Sequence, residues 1–176
     1  MCRLTKGVVP SLTQLHRPRQ ARGASDQRPY QGRGGNTQGD CTSEFVEALV
    51  SAYPNVPFQK LLGIEIVDLV PDRVTVKVPF RSDLVGGGQA LHGGVMSSLL
   101  DLTGALAAWS GHDVSRGVKA ATVSLTINYL SAAIGKDILA MGIVRRRGKD
   151  LVFCDVDIVD ADGKAVASGS MIYRIV

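Results

Sequence analysis

The stretch LHGGVMSSLLDLTGALAAW, residues 91–109, constrains the fold more than any other. From Gly93 to Trp109 it holds a single charged residue, Asp101, in a run that is apolar on almost every side. A helix of that kind has no polar face to give to water, so other parts of the protein must cover it nearly all round. The run approaches membrane-spanning length. Asp101, Ser97, Ser98, Thr103 and several glycines interrupt it, however, and alternating segments follow it, so it reads as a core helix.

Strands supply the cover. IEIVDLV and DRVTVKVPF form a half-buried hairpin with Pro71-Asp72 at its turn, and Val74, Val76, Val78 and Phe80 alternate with Arg73, Thr75, Lys77 and Pro79. After the helix, ATVSLTINYL places Ala121, Val123, Leu125, Ile127 and Tyr129 on one face and Thr122, Ser124, Thr126 and Asn128 on the other. DILAMGIVRRR and LVFCDVDIVD are joined by Gly148-Lys149-Asp150, and ADGK leads into AVASGSMIYRIV. Links this short imply antiparallel pairing and a four-strand meander, because parallel crossovers need a longer connection. Ahead of all this, TSEFVEALVSAYP reads as a short amphipathic helix capped by Thr42 or Ser43, with Phe45, Val46, Leu49 and Val50 as its stripe and Pro54 and Pro57 ending it. The expected class is α+β, a six-stranded antiparallel sheet wrapped around the long helix, with a second copy of the chain adding cover.

The chain has the length of one domain. Its 20 basic residues exceed its 16 acidic ones, but seven of the basic groups lie in residues 1–39 beside one acid, Asp26. Residues 40–176 therefore keep 13 basic and 15 acidic groups and lack the positive surface of a nucleic-acid binder. Residues 1–40, rich in Gly, Arg, Gln and Pro, show no apolar period and read as a disordered basic tail, leaving 41–176 as the folded domain. The tail is Arg-rich and acid-poor like a transit peptide, although its glycines and prolines make a poor amphipathic helix. No secretory apolar segment follows the first basic residues. Cys2, Cys41 and Cys154 are odd in number and have no CxxC spacing, which suggests neither a disulfide framework nor a metal site. A cytoplasmic location is expected, with organellar targeting as the alternative.

Chemistry concentrates at the start of the long helix. Five glycines lie between Gly86 and Gly94, yet the loop lacks the GK[ST] ending of a phosphate loop. Two readings of Gly93-Gly94 stand. The pair makes a tight entry turn, or its unpaired N–H groups at the positive end of the helix receive a developing oxyanion. Asp101 likewise could cap a restarted helix, face a wet interface, or act as a catalytic carboxylate. Asp101 lies eight residues beyond Gly93, roughly 12 Å along a helix axis. A single carbonyl cannot touch both groups of one chain, so joint action requires two chains across a two-fold axis.

LHGGVMSSLLD, with His92, Gly93-Gly94 and an acid nine residues after the histidine, resembles the signature of hotdog-fold acyl-CoA thioesterases of the phenylacetate-pathway type. The similarity runs from about residue 57 to 176. It implies an oxyanion-holding amide at Gly93, His92 beside it, Asp101 lent by the partner subunit as base or nucleophile, and a hydroxyl on the following strand, for which Thr122 is the candidate. The implied substrate is an acyl- or aryl-CoA, with coenzyme A as part of the substrate and no separate cofactor or metal. The implied assembly is a homodimer or a dimer of dimers, without membrane insertion. One position departs from the pattern: the asparagine common six residues before the histidine is Gly86, and Gln89 is a candidate to replace it.

Further candidates for substrate contact are Gly94 at the helix start and the basic hairpin RRRGKD, where Arg145, Arg147 and Lys149 could meet coenzyme A phosphates. The same cluster equally suits a solvated turn, and alternation sends neighbouring arginines to opposite faces. Two rival functions remain. A non-catalytic acyl-CoA-binding protein is favoured by Gly86. A hydratase or dehydratase is disfavoured because Asp83 and His92 stand nine residues apart, where such enzymes place the pair closer together.

Overall fold

The computed structural model describes residues 39–176. The expected disordered tail over 1–40, with any targeting role, therefore lies outside the described residues except for Gly39 and Asp40, which open the first helix. That helix, α1 (Gly39–Ala52), begins ahead of the Thr42/Ser43 cap read from the sequence. Within the stripe, Phe45 meets Trp109 at a ring-centroid distance of 6.1 Å and Leu49 packs on the core, whereas Val50 is exposed. Tyr53-Pro54-Asn55 makes a single 3-10 turn. Pro57 then starts α2 (Pro57–Leu62), a position where its missing N–H costs nothing, and Gly63 ends it in the left-handed region.

The six strands are β1 (Glu65–Val70), β2 (Arg73–Val78), β3 (Ala120–Tyr129), β4 (Ile138–Arg147), β5 (Leu151–Asp160) and β6 (Ala165–Ile175). They form one antiparallel sheet in the order β1-β2-β4-β5-β6-β3. The simple four-strand meander is thus corrected: β3 lies at the edge beside β6, and β2 takes the place next to β4. The connection 130–137 makes this possible, because it is longer than a hairpin turn and is held along its way. Leu130 and Ser131 donate their N–H groups to Val166 O, Ala133 is buried, and its carbonyl accepts from Leu91 N at 2.8 Å. Ala90 and Ile134 add an isolated bridge, so this connection also braces the loop that enters the long helix.

That helix, α3 (Gly93–Ser110), packs against all six strands. Leu99, Leu100 and Leu106 are fully buried against Val74, Val76, Val78, Ile138, Val156 and Ile158. Each such side chain contributes roughly 1.5–3 kcal/mol relative to exposure. Close approach depends on Gly169 of β6, where an added Cβ would lie 2.7 Å from Leu100 Cδ1 and still nearer the carbonyl of Thr126.

The far end of α3 is tied to the β1–β2 turn. Ser110 Oγ accepts from Asp72 N at 3.0 Å and donates to Ala107 O at 2.8 Å. Arg147 donates to Ala108 O at 2.9 Å and also bonds the Asp72 carboxylate. A cation there suits the negative end of the helix. Arg147 points inward because the β4–β5 register shifts between Val144 and Arg146, leaving Arg145 as the extra residue.

Three outcomes follow from this packing. Gly169→Ala is expected to lower stability by about 1–3 kcal/mol in urea denaturation, since backbone on one side and Leu100 on the other must yield. Arg147→Ala is expected to cost about 1–2 kcal/mol in the same measurement by uncapping α3. Asp160 is buried, and burial works against its charge, but the N–H groups of Lys164 and Asp162 and the Lys136 ammonium outweigh it and hold the carboxyl below its usual pKa. Its contribution is therefore present above about pH 4 and lost as pH falls further, so Asp160→Asn should lower stability at pH 6 and flatten the acid limb of a stability–pH curve.

Candidate functional site

The loop before α3 is closed on itself. Val85 bridges Leu91, Gly86 N donates to Ala90 O at 2.8 Å, and His92 N donates to Leu84 O at 2.9 Å. Gly88 and Gln89 turn the chain at φ 65° and 61°, a region uncommon for a residue with a side chain, and Gln89 stands exposed at the tip. An added Cβ at Gly86 would press within 3.2 Å of His92 Cδ2. The imidazole thus borders the position that a side chain at residue 86 would occupy.

His92 is the N-cap of α3, and its Nδ1 accepts from Gly94 N at 2.9 Å. That role needs Nδ1 unprotonated, leaving Nε2 to carry the proton of the neutral ring. The same contact explains the second glycine, since a Cβ at Gly94 would lie 2.9 Å from Nδ1. It also corrects the expectation that Gly94 offers a donor to substrate, because its N–H is already engaged by His92. The Gly93 N–H has no acceptor among the described residues.

Two residues that the sequence reading did not single out join this corner. Ser97 Oγ donates to Gly93 O at 3.2 Å, one helical turn back. The Tyr129 hydroxyl lies 3.2 Å from the same carbonyl and hydrogen-bonds Ser97 Oγ. The Ser97 contact follows the local i to i−4 spacing of a helix. Tyr129 arrives from the end of β3, and no local pattern signals it.

Asp101 lies farther along the same unbroken helix, so it does not cap a restarted one, and it is half-buried. Thr122 Oγ1 donates to Asp101 Oδ1 at 2.6 Å. Strict alternation would place Thr122 on the face opposite Leu125 and Ile127. A β-bulge corrects this: Thr122 pairs with Tyr173 but Ser124 pairs with Ile172, and the extra residue, Val123, reverses the parity. Thr122 consequently turns toward α3, on the same side as Leu125 and Ile127, while Val123 is 56% exposed. Tyr53 and Tyr173 sit in the field of Asp101. Burial above all pushes both phenols up; for Tyr53 the neighbouring Tyr173 and then the Asp101 carboxylate add to it, and for Tyr173 the Asp101 carboxylate adds while the hydrogen bond from Trp109 works the other way.

The basic hairpin is divided. Arg145 pairs with Asp155 at 2.8 Å, Arg147 is held beneath the end of α3, and Lys149 is exposed on the turn with its carbonyl accepting from Arg116. Arg147 as a phosphate contact is therefore corrected, since its accessible nitrogen already serves Ala108 and Asp72. Asp83 pairs with Arg81 at 3.0 Å. Cys154 is buried and donates to Gly104 O at 3.5 Å, and burial pushes its thiol up to about 12, far from a thiolate nucleophile. Among the described residues no group of three or more His, Cys, Asp and Glu could hold a metal ion, and no helix is long and apolar enough to cross a membrane.

The chain is similar in sequence and fold to known proteins. The family model of the thioesterase superfamily matches residues 88–167. Acyl-coenzyme A thioesterase 13 of Homo sapiens is 31% identical over 129 residues, spanning 72% of this chain and 88% of that protein. Acyl-coenzyme A thioesterase PaaI of Escherichia coli is 32% identical over 116 residues, 65% of this chain and 79% of its own. The solved structure of the E. coli PaaI protein superposes with a TM-score of 0.67 at 27% identity, covering 77% of this chain and 93% of that one. With its six-stranded antiparallel sheet and enclosed helix, the chain belongs to the thioesterase superfamily and has the hotdog fold.

Proposed function

We propose that this chain hydrolyses acyl- or aryl-CoA thioesters to a carboxylic acid and free coenzyme A, using groups from two copies at each site. The observation that carries the reading is the hydrogen bond from Thr122 to Asp101, which holds one carboxylate oxygen and leaves the other for chemistry. A half-buried carboxylate kept on an otherwise apolar helix needs a function or a partner, and here a bulge in β3 is spent on orienting it.

In this mechanism the thioester carbonyl accepts from the Gly93 N–H, which has no partner within the described chain. His92 holds the neighbouring Gly94 amide and so shapes the turn that presents Gly93. The carboxylate of Asp101 takes a proton from water as it attacks the carbonyl carbon, or attacks directly to give an acyl-enzyme that water then opens. Negative charge gathers on the carbonyl oxygen, where one aimed N–H is worth about 3 kcal/mol. In the first route the proton held by Asp101 passes to sulfur as the C–S bond breaks, and coenzyme A leaves as the thiol; in the second the C–S bond breaks as the acyl-enzyme forms, and the departing thiolate is balanced by the proton released when water opens that intermediate. Lys149 and Arg145, both near the β4–β5 turn, remain candidates for its phosphates, and Gln89 for the place of the absent asparagine.

Gly93 and Asp101 stand about 12 Å apart along α3, so the Asp101 that serves a given Gly93 comes from a second copy. The open edge of β3 is the natural seam, being ten residues long and exposing Val123, Tyr129 and the adjoining Leu130. Long exposed edges of this kind call for cover.

Asp101→Asn is expected to lower kcat for thiol release roughly 100- to 10,000-fold, with the fold and oligomeric state unchanged. A screen of short, medium, long and aromatic acyl-CoAs on the wild-type chain supplies the substrate. Undiminished hydrolysis by folded Asp101→Asn protein rejects the mechanism, and tight acyl-CoA binding without release of thiol by the wild type favours the binding protein instead.

A further inference from the structure

We infer that Tyr129 is a positioning residue that, with Ser97, clamps the Gly93–Gly94 peptide and so keeps the Gly93 N–H aimed. The inference rests on the thioesterase reading above. Glycine is required at residue 94, because a Cβ there would strike the His92 ring at 2.9 Å, whereas one at Gly93 would meet the Tyr129 ring at an ordinary contact distance of 3.4 Å. Glycine also removes the steric limits that would otherwise hold the backbone in one conformation. Something else must restrict a donor whose direction matters.

The contacts supply that restriction on the peptide group that directly follows the donor, the Gly93–Gly94 peptide, from both of its sides. Its N–H, on Gly94, is held by His92 Nδ1. Its C=O, on Gly93, faces the hydroxyls of both Ser97 and Tyr129 at 3.2 Å. Each hydroxyl has one proton, and the two oxygens also bond each other. One hydroxyl therefore donates to the other, and the second donates to Gly93 O. Either arrangement leaves the carbonyl with a side-chain donor, and either ties the first turn of α3 to the end of β3. The ring of Tyr129 stands 3.4 Å from where a Cβ of Gly93 would lie, so it flanks this residue. Ser97 alone could make its bond in any helix. Tyr129, 36 residues beyond Gly93, is what anchors the turn to the sheet.

The test uses the full chain as wild type, Tyr129→Phe, Ser97→Ala and the double variant. Amide exchange at Gly94 is followed by NMR, and kcat and KM are measured for thioester hydrolysis. In Tyr129→Phe the Ser97 hydroxyl still reaches the carbonyl, so the effect should be about twofold to threefold. In the double variant, exchange at Gly94 should quicken roughly tenfold and kcat should fall by a similar factor, with KM within about twofold. Wild-type exchange and kcat in the double variant overturn the clamp, as does a loss confined to KM. Should the double variant not fold, wild-type exchange and kcat in both single variants overturn it in the same way. A wild-type chain that hydrolyses no acyl-CoA rejects the thioesterase reading by itself, and unchanged or quickened exchange then decides the clamp separately.

Discussion

The burial of α3 is the constraint on which the rest of the structure depends. A helix with Leu99, Leu100 and Leu106 at zero exposure cannot lie on a surface, and every strand of the sheet contributes to covering it. β3 lies at one edge of the sheet, paired with β6 alone. Asp101 stands on that side, next to Thr122. The carboxylate there is half-buried and has a hydroxyl donor, which reconciles a charged residue with an apolar helix.

Much of this was legible in the sequence because it depends on periodicity and local turns. The long helix, the Pro71-Asp72 hairpin and the alternating strands after residue 120 all follow from apolar spacing. Strand order does not, because nothing in the alternation of β3 says whether its partner is β4 or β6. That choice is made by the connection 130–137, whose buried Ala133 and hydrogen bonds to Leu91 and Val166 are tertiary facts. Two bulges escaped for the same reason. One residue inserted at Val123 sends Thr122 inward, and one at Arg145 sends Arg147 inward, so strict alternation mislocated both side chains.

The candidate site divides along the same line. His92, Gly93, Gly94 and Asp101 belong to a contiguous stretch and were readable from spacing. Tyr129 and the direction of Thr122 were not, because each reaches α3 from a different strand position. The basic hairpin suits a ligand or a solvated turn by sequence alone, and the structure puts Arg147 at the end of α3 and Arg145 in a pair with Asp155.

Gly86 gains a physical meaning from its neighbour. His92 can hold the Gly94 amide only if its ring lies over the loop, and the ring edge then passes close to the position that a side chain at residue 86 would occupy. A larger residue there would have to give or displace the imidazole by a few tenths of an ångström. Gly86 therefore relaxes the packing around the cap while it removes a polar group from the loop. The carboxylate on α3 is held separately, by the hydroxyl of Thr122.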